Sequence, residues 1–393
     1  MQVVERKLMQ EIRKYLTSPE AVVVTGMRRV GKTTLMEQVQ AELREQHNIS
    51  NILFLDLENP ASQRYFDEEN YDAIWYTFEK LGLRSTERAF VFLDEVQYVA
   101  AIPSVVKYLA DHRDVKFFLT GSASFYVKNT FTQSLAGRKV IFELFPFDFS
   151  EFLALKGVPD RIPEVVGNAG LHSHFTKWYR EYVEFGGFPG VIVKESHEEK
   201  QRALDDILTS YYQKDVLAFG DFQNNQAVRD LIFLLLQRVG NRVEEQRLAS
   251  ELKITRPTVK DYLAFLEATY MFQFIRPFSK SPDVEIRKAQ KVYCIDSGLV
   301  QQFGKVAFGS VFENAVYHQL RLRCKRVHYY QRKSGEEIDF ITDERSAYEV
   351  KMSATLKDRA VLEKLAGDIG TREANVVSFE YVPDVNPVYG FQL

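Results

Sequence analysis

Cysteine is almost missing from this chain: there are two, Cys294 and Cys324, among 393 residues, and no CxxC spacing. That scarcity excludes a disulfide framework and a cysteine-rich zinc site, and it suits a reducing, cytoplasmic compartment. Long apolar runs are lacking too. No stretch approaches the ~18 uninterrupted apolar residues of a membrane span. The opening MQVVERKLMQEIRKYL is charged and has no apolar core of signal-peptide length. A soluble protein with no membrane partner is expected. Nor does charge of one sign dominate: the formal net charge is −3. Bulk charge therefore does not draw nucleic acid to the chain, and any such surface must be local. Internal repeats and low-complexity segments are absent.

What is present is apolar material in patterned form. Hydrophobic residues make up 45% of the chain, and the length allows two or three domains with real cores. Over residues 1–150, short apolar runs at 22–24, 52–55, 90–93 and 116–119 alternate with helical patterns. This predicts an α/β domain whose parallel sheet is covered on both faces. Residues 151–290 read as helical, punctuated by loops such as FGGFPG at 185–190. Residues 291–393 are mixed again, with strands expected at 291–295, 327–331, 338–342 and 347–350 and a helix over 311–322.

The first domain carries a phosphate-binding signature. Gly26, Met27, Arg28, Arg29, Val30, Gly31, Lys32 and Thr33 fit GxxxxGK[ST] in full, after an apolar strand and before the helical pattern that Thr34 opens. Glycines let the backbone wrap so that its N–H groups face phosphates, and the following helix adds the positive end of its dipole. Lys32 reaches the β- and γ-phosphates, and the Thr33 hydroxyl is a magnesium ligand. The run FVFL ends in Asp94 and Glu95, a pair suited to magnesium (Asp94) and to general-base activation of water (Glu95). The acid pair suits water activation better than a small-molecule kinase would require. Thr120 or Ser122, at the tip of the next strand, is placed for sensing a γ-phosphate. Arg138 is a candidate arginine finger, in cis or from a neighbouring copy, the latter implying a homo-oligomer. ATP and Mg²⁺ are thus the expected ligands.

Taken together, GMRRVGKTTL, FVFLDEVQ, FLTGSAS and LAGRKVIFELFPFDFSEF resemble the AAA+ ATPases of bacteria and archaea that carry a restriction-endonuclease-like domain at the C-terminus. The resemblance runs along nearly the whole chain. It implies ATP hydrolysis as a switch or motor, with Lys32, Thr33, Asp94 and Glu95 matching the ATP site and Arg138 a family position.

Two further constellations lie downstream. Helices expected at 229–238, 245–252 and 255–268, followed by a strand at 271–277, have winged-helix order within residues 226–280. In a DNA-binding version Arg256, Thr258 and Lys260 would face a groove or phosphates; a packing role is the alternative. Then come Glu313 on a helix, Asp339 in EIDF, and Glu349 with Lys351 in YEVK. Period two puts Glu349 and Lys351 on one face of a strand, where an Asp from an adjacent strand can meet them. The set resembles a PD-(D/E)xK nuclease, which implies a second divalent metal, Mg²⁺ or Mn²⁺, at Asp339 and Glu349, with Lys351 orienting water. An inactive, salt-bridged scaffold that binds a protein partner is the other reading. Between Glu313 and Asp339, residues 321–333 hold six Lys or Arg, no acid and interleaved aromatics, a strip suited to a DNA backbone.

Overall fold

The computed structural model describes residues 4–122, 137–220, 222–279, 285, 288–343 and 345–393. Ala123, Ser124, Leu135 and Ala136, the flanks of the motifs around Thr120 and Arg138, lie outside the described residues. The chain packs as two compact units: residues up to 145 together with 268–270, and residues 146–267 together with 271–393.

The first unit is built on five parallel strands: β1 (Ala21–Thr25), β2 (Ile52–Asp56), β3 (Ala89–Asp94), β4 (Val115–Gly121) and β5 (Lys139–Glu143). Their order across the sheet is β2-β3-β4-β1-β5. The inner strands β1, β3 and β4 are buried at every residue. That is why they read as unbroken apolar runs rather than alternating ones. Helices α1 (Lys32–Gln46), α2 (Tyr71–Lys80) and α3 (Ile102–His112) connect strands in this unit. In α3, Ile102, Val105, Val106 and Leu109 recur at helical spacing and are buried; they join Val23, Leu55, Phe78, Val91 and Phe117 in one core. Asn70 caps α2 by accepting from the Asp72 N–H at 3.0 Å. Strand β5 was not anticipated. Every residue of KVIFE is only half-buried at the sheet edge, so neither an apolar run nor an alternation marks it.

The second unit begins with helices α4 (Phe149–Leu155), α5 (Ala169–Phe185) and α6 (His197–Tyr211). Next come α7 (Asn225–Leu236), α8 (Glu245–Leu252) and α9 (Arg256–Ala268). An antiparallel ribbon, β6 (Phe272–Ile275) with β7 (Lys291–Cys294), follows. The division expected near residue 290 runs through this ribbon. After α10 (Ser297–Phe303) and α11 (Phe308–Arg323) come β8 (Val327–Gln331), β9 (Glu337–Thr342), β10 (Ser346–Lys351), α12 (Leu356–Ile369), β11 (Glu373–Ser378) and β12 (Val388–Tyr389). These strands form a second sheet in the order β12-β11-β10-β9-β8, antiparallel from β8 to β10 and parallel from β10 to β12. The fold is mixed α/β, with a parallel sheet first and a smaller mixed sheet in the C-terminal region.

The FGGFPG loop has a packing role. Gly186 sits at φ +77°, and a Cβ there would lie 1.9 Å from a carboxylate oxygen of Asp296. Asp296 accepts from the Gly187 N–H at 2.7 Å and caps α10 through the Gly298 N–H at 2.9 Å. Among the described residues no helix is long and apolar enough to cross a membrane.

Candidate functional site

The phosphate-binding loop leaves the C-terminal end of β1, at the edge where open parallel sheets bind ligands. Gly26 is pressed against β5's exit: a Cβ there would stand 2.2 Å from the Leu144 carbonyl oxygen. Gly31, left-handed at φ +99°, opens α1. Met27 and Val30 are buried and anchor the loop, so only their backbone is available to a ligand. Arg6 holds the loop from outside the motif, donating to the Val30 carbonyl at 2.9 Å and the Phe145 carbonyl at 2.8 Å. Nothing in the sequence around Arg6 marks it. Arg28 donates to the Tyr98 hydroxyl at 2.8 Å and lies 3.6 Å from Glu58. Arg29 is left-handed and exposed, and Thr34 is exposed on α1.

Around this loop the structure gathers the remaining expected residues. The Lys32 ammonium donates to the carbonyls of Gly26 and Met27 at 3.2 Å each and lies 3.5 Å from Glu95 Oε1. Thr33 donates to Asp94 Oδ2 at 2.6 Å, and Thr120 donates to Asp94 Oδ1. Thr120 also accepts from the Glu95 N–H at 3.0 Å. Gln97, two residues beyond Glu95 in the DEVQ segment, donates to Glu95 and, at 2.8 Å, to Ser122 Oγ. It is a bridge the motif reading passed over. Glu95 itself is left-handed, at φ +55° and ψ +51°, a conformation that costs a non-glycine residue on the order of 1–2 kcal/mol and tends to persist at functional sites.

The two acids are tuned in opposite directions. Burial pushes the Asp94 carboxyl up, against hydrogen bonds from Thr120 and Thr33 that favour its charge. Burial also opposes the charge of Glu95, but Lys32, Arg28 and the bond from Gln97 outweigh it and hold its pKa below the ordinary carboxylate value. A hydroxyl and a carboxylate in contact at the mouth of a glycine-lined loop are a hard-oxygen set that fits Mg²⁺ beside a polyphosphate. Thr33 and Asp94 would hold the ion and Lys32 the phosphates.

Arg138 falls elsewhere. It stands at the start of β5, ion-paired with Asp111 near the end of α3. It shares a pocket with Pro19, Glu20 and Val115 at the N-terminal ends of the strands, whereas Lys32 and Asp94 stand at the C-terminal ends. A finger role in cis does not fit that position.

In the second unit β10 and β9 bring Glu349, Lys351 and Asp339 together. Asp339 Oδ2 accepts from the Val350 N–H at 2.8 Å, and Lys351 donates to Glu349 Oε1 at 2.7 Å. Glu313 arrives from α11 and accepts from the Tyr293 hydroxyl at 2.7 Å. The sequence reading missed two residues among them, Lys291 and Glu337. Lys291 of β7, 4% exposed, puts its ammonium 3.2 Å from Glu337, 3.7 Å from Asp339 and 4.0 Å from Glu313. Burial disfavours its charge, yet Glu313, Asp339 and Glu337 raise its pKa above the usual lysine value. Burial and the Asp339 charge push both Glu313 and Glu349 up. Among the described residues no group of three or more acid, His or Cys side chains is arranged to hold a metal ion. As the side chains stand, both carboxylates expected to hold the second metal already face a lysine: Asp339 lies 3.7 Å from the Lys291 ammonium and Glu349 Oε1 is 2.7 Å from that of Lys351, which leaves only Glu349 Oε2 buried without a partner.

The basic run is divided by β8. Arg321 and Arg323 end α11, and Lys325 and Arg326 precede β8, whereas Arg332 and Lys333 follow it. Because Gln331 pairs with Glu337 and Val327 with Thr342, only Arg332 and Lys333 lie at the end of the sheet that holds the carboxylates. They line a groove of about 330 Å³ with Arg242, Lys288, Tyr329 and Gln331. On α9, Arg256 and Lys260 are ion-paired with Glu245 at 2.7 and 3.8 Å, and Thr258 meets Thr255 at 2.7 Å. Arg256 and Lys260 line a neighbouring groove that shares Lys288.

The class these features define is an AAA-type, P-loop ATPase-like fold. The family model described as an AAA domain matches residues 18–153, and two models, each described as a domain of unknown function, match residues 176–307 and 308–381. The chain is similar to an uncharacterised protein of Haemophilus influenzae, 26% identical over 342 residues, covering 85% of this chain and 82% of that one. An uncharacterised protein of Methanocaldococcus jannaschii is 25% identical over 378 residues, 91% of this chain and 81% of that one. Among solved structures, the ORC2 protein of Aeropyrum pernix aligns with a TM-score of 0.43 at 12% identity, over 81% of this chain and 96% of that one. The ORC1 protein of the same organism, in complex with DNA, aligns at 0.35 and 13%, over 81% and 95%.

Proposed function

We propose that this protein hydrolyses Mg-ATP as a conformational switch and that its second unit holds a nucleic-acid backbone in the groove of Arg242, Lys288, Arg332 and Lys333. The observation that carries the ATPase reading is the continuous network Lys32–Glu95–Gln97–Ser122 alongside Thr33–Asp94–Thr120. When bound, Mg²⁺ neutralises charge on the phosphates. Lys32 and the loop's N–H groups bind the β- and γ-phosphates. Glu95, kept ionised by Lys32 and Arg28, takes a proton from water as that water's oxygen bonds to the γ-phosphorus and the bond to the bridging oxygen breaks. Gln97 fixes the Glu95 carboxylate and links it to Ser122, so the sensor role suits Ser122 through Gln97 and Thr120 through Asp94.

The backbone-holding reading rests on Arg242, Lys288 and Lys333, which are exposed at one groove. The helices α7 to α9 with the β6–β7 ribbon are read as a winged helix, and α11-β8-β9-β10-α12-β11 as a nuclease-like core. Lys291 within its carboxylates favours holding over cutting, in line with a switch whose nuclease-like part is inactive. Replacing Lys288, Arg332 and Lys333 by Ala should weaken double-stranded DNA binding and reduce the salt slope by about 2–3, at roughly 0.9 per lost phosphate contact. Replacing Arg323, Lys325 and Arg326 should change neither. Equal effects from the two triples would remove the groove from the account. Lys32→Ala should abolish nucleotide binding and turnover; full retention of both would end the ATPase reading.

A further inference from the structure

The Lys291 side chain is rooted where it cannot easily swing away. Its strand, β7, pairs with β6 on one side, and Lys291 itself bridges to Arg242 on the other. Its ammonium lies 5.6 Å from the Tyr329 ring centre. Tyr293, two residues on and therefore on the same face of the strand, donates to Glu313 at 2.7 Å. One short strand thus sends a cation and a hydroxyl into a cluster whose acids come from α11 and β9. A magnesium-type ion demands oxygen ligands at about 2.0–2.1 Å in near-octahedral array. The ammonium instead stands 3.2–4.0 Å from three carboxylates, which are ion-pair distances.

We propose that Lys291 is the resident cation of this cluster: its ammonium takes the position of a divalent ion among Glu313, Glu337 and Asp339 and thereby keeps the C-terminal sheet from binding one. The inference rests on the nuclease-like reading of Glu313 and Asp339, and on nothing at the ATP site. Removing the ammonium leaves the buried Asp339 and the part-buried Glu313 and Glu337 without their counter-charge, an arrangement that is costly unless a cation replaces it. Lys291→Met keeps the stem and deletes the charge.

The test is Mn²⁺ binding to the nucleotide-free full chain, read as loss of the free-ion EPR signal. Lys291→Met is expected to bind one equivalent more than the wild type, at a site that the wild type lacks. Adding Asp339→Asn should remove that gain. The proposal is overturned if the wild type already binds Mn²⁺ at a site that Asp339→Asn abolishes, or if folded Lys291→Met gains none. Should Lys291→Met fail to fold in metal-free buffer, Mn²⁺ must restore a cooperative melting transition, and absence of that rescue also overturns it. DNA affinity through Arg332 and Lys333, and turnover through Lys32, are separate readouts, so failure here leaves them standing.

Discussion

At the scale of single residues, environment separates two neighbouring carboxylates. Glu95 is held ionised by Lys32 and Arg28, while burial raises Asp94. Glu95→Gln keeps the shape and hydrogen bonds but cannot take a proton. ATP affinity should stay within a few-fold of wild type, while turnover falls on the order of 10²–10⁴-fold. Nucleotide titration beside phosphate release checks this, and unchanged turnover would remove Glu95 as the base. Since its pKa is lowered, the ionised form persists through neutral pH. The turnover limb due to Glu95 should appear only below the ordinary glutamate range, lost as pH falls. Asp296 behaves oppositely. Complete burial raises it to about 7, so the folded chain keeps a proton that the unfolded chain gives up near pH 4. Its contribution is present in acid and is lost as pH rises through about 7, and each tenfold change in proton affinity is worth about 1.4 kcal/mol. Urea denaturation at pH 5 and pH 8 should show wild-type stability falling more steeply than that of Asp296→Asn.

Elements were legible in proportion to how fully they are buried and how locally they are specified. β1, β3 and β4 read as apolar runs because both their faces are covered, and β2 was legible from its apolar ILFL although it lies at the sheet edge and is buried only at alternate residues. β5 was not, since its half-buried residues carry no pattern. β11 and β12 were missed for the same reason: EANVVS is exposed at one end and buried at the other, and β12 has two residues. Asp339, Glu349 and Lys351 of the second cluster were found because period two is a local rule; Glu313, on a helix, was found only as part of the nuclease-like pattern, and Glu337 was passed over. Lys291 was missed, because only the ribbon that folds β7 beside α11 and β9 gives it meaning. The phosphate loop, by contrast, is almost wholly local, and its one distant constraint yields a prediction. A Cβ at Gly26 would meet the Leu144 carbonyl at 2.2 Å. Backbone oxygen cannot rotate away as a side chain can. Gly26→Ala should therefore destabilise the first unit by about 1–3 kcal/mol and lower ATP affinity, as read by denaturation and nucleotide titration. Wild-type values in both would mean that the loop and the exit of β5 yield readily.

At the scale of the whole molecule, a net charge of −3 conceals a basic groove, and one sheet separates two arginine roles. Strand polarity places Arg28 at the end that holds Lys32 and Arg138 at the other, beside Asp111. Within one copy Arg138 is thus the partner of an exposed acid, and such pairs contribute little to stability. Contact with a transferring phosphate requires the site of a second copy. Arg138→Ala should leave ATP affinity and melting temperature close to wild type. Any loss of turnover should appear only at protein concentrations where chains associate, and it should be relieved by mixing with Lys32→Ala chains, which cannot turn over ATP but still present Arg138. A turnover defect that is independent of concentration and not relieved by mixing would show Arg138 acting within its own chain, and would mean that residues 137–143 do not keep the place they hold beside β1.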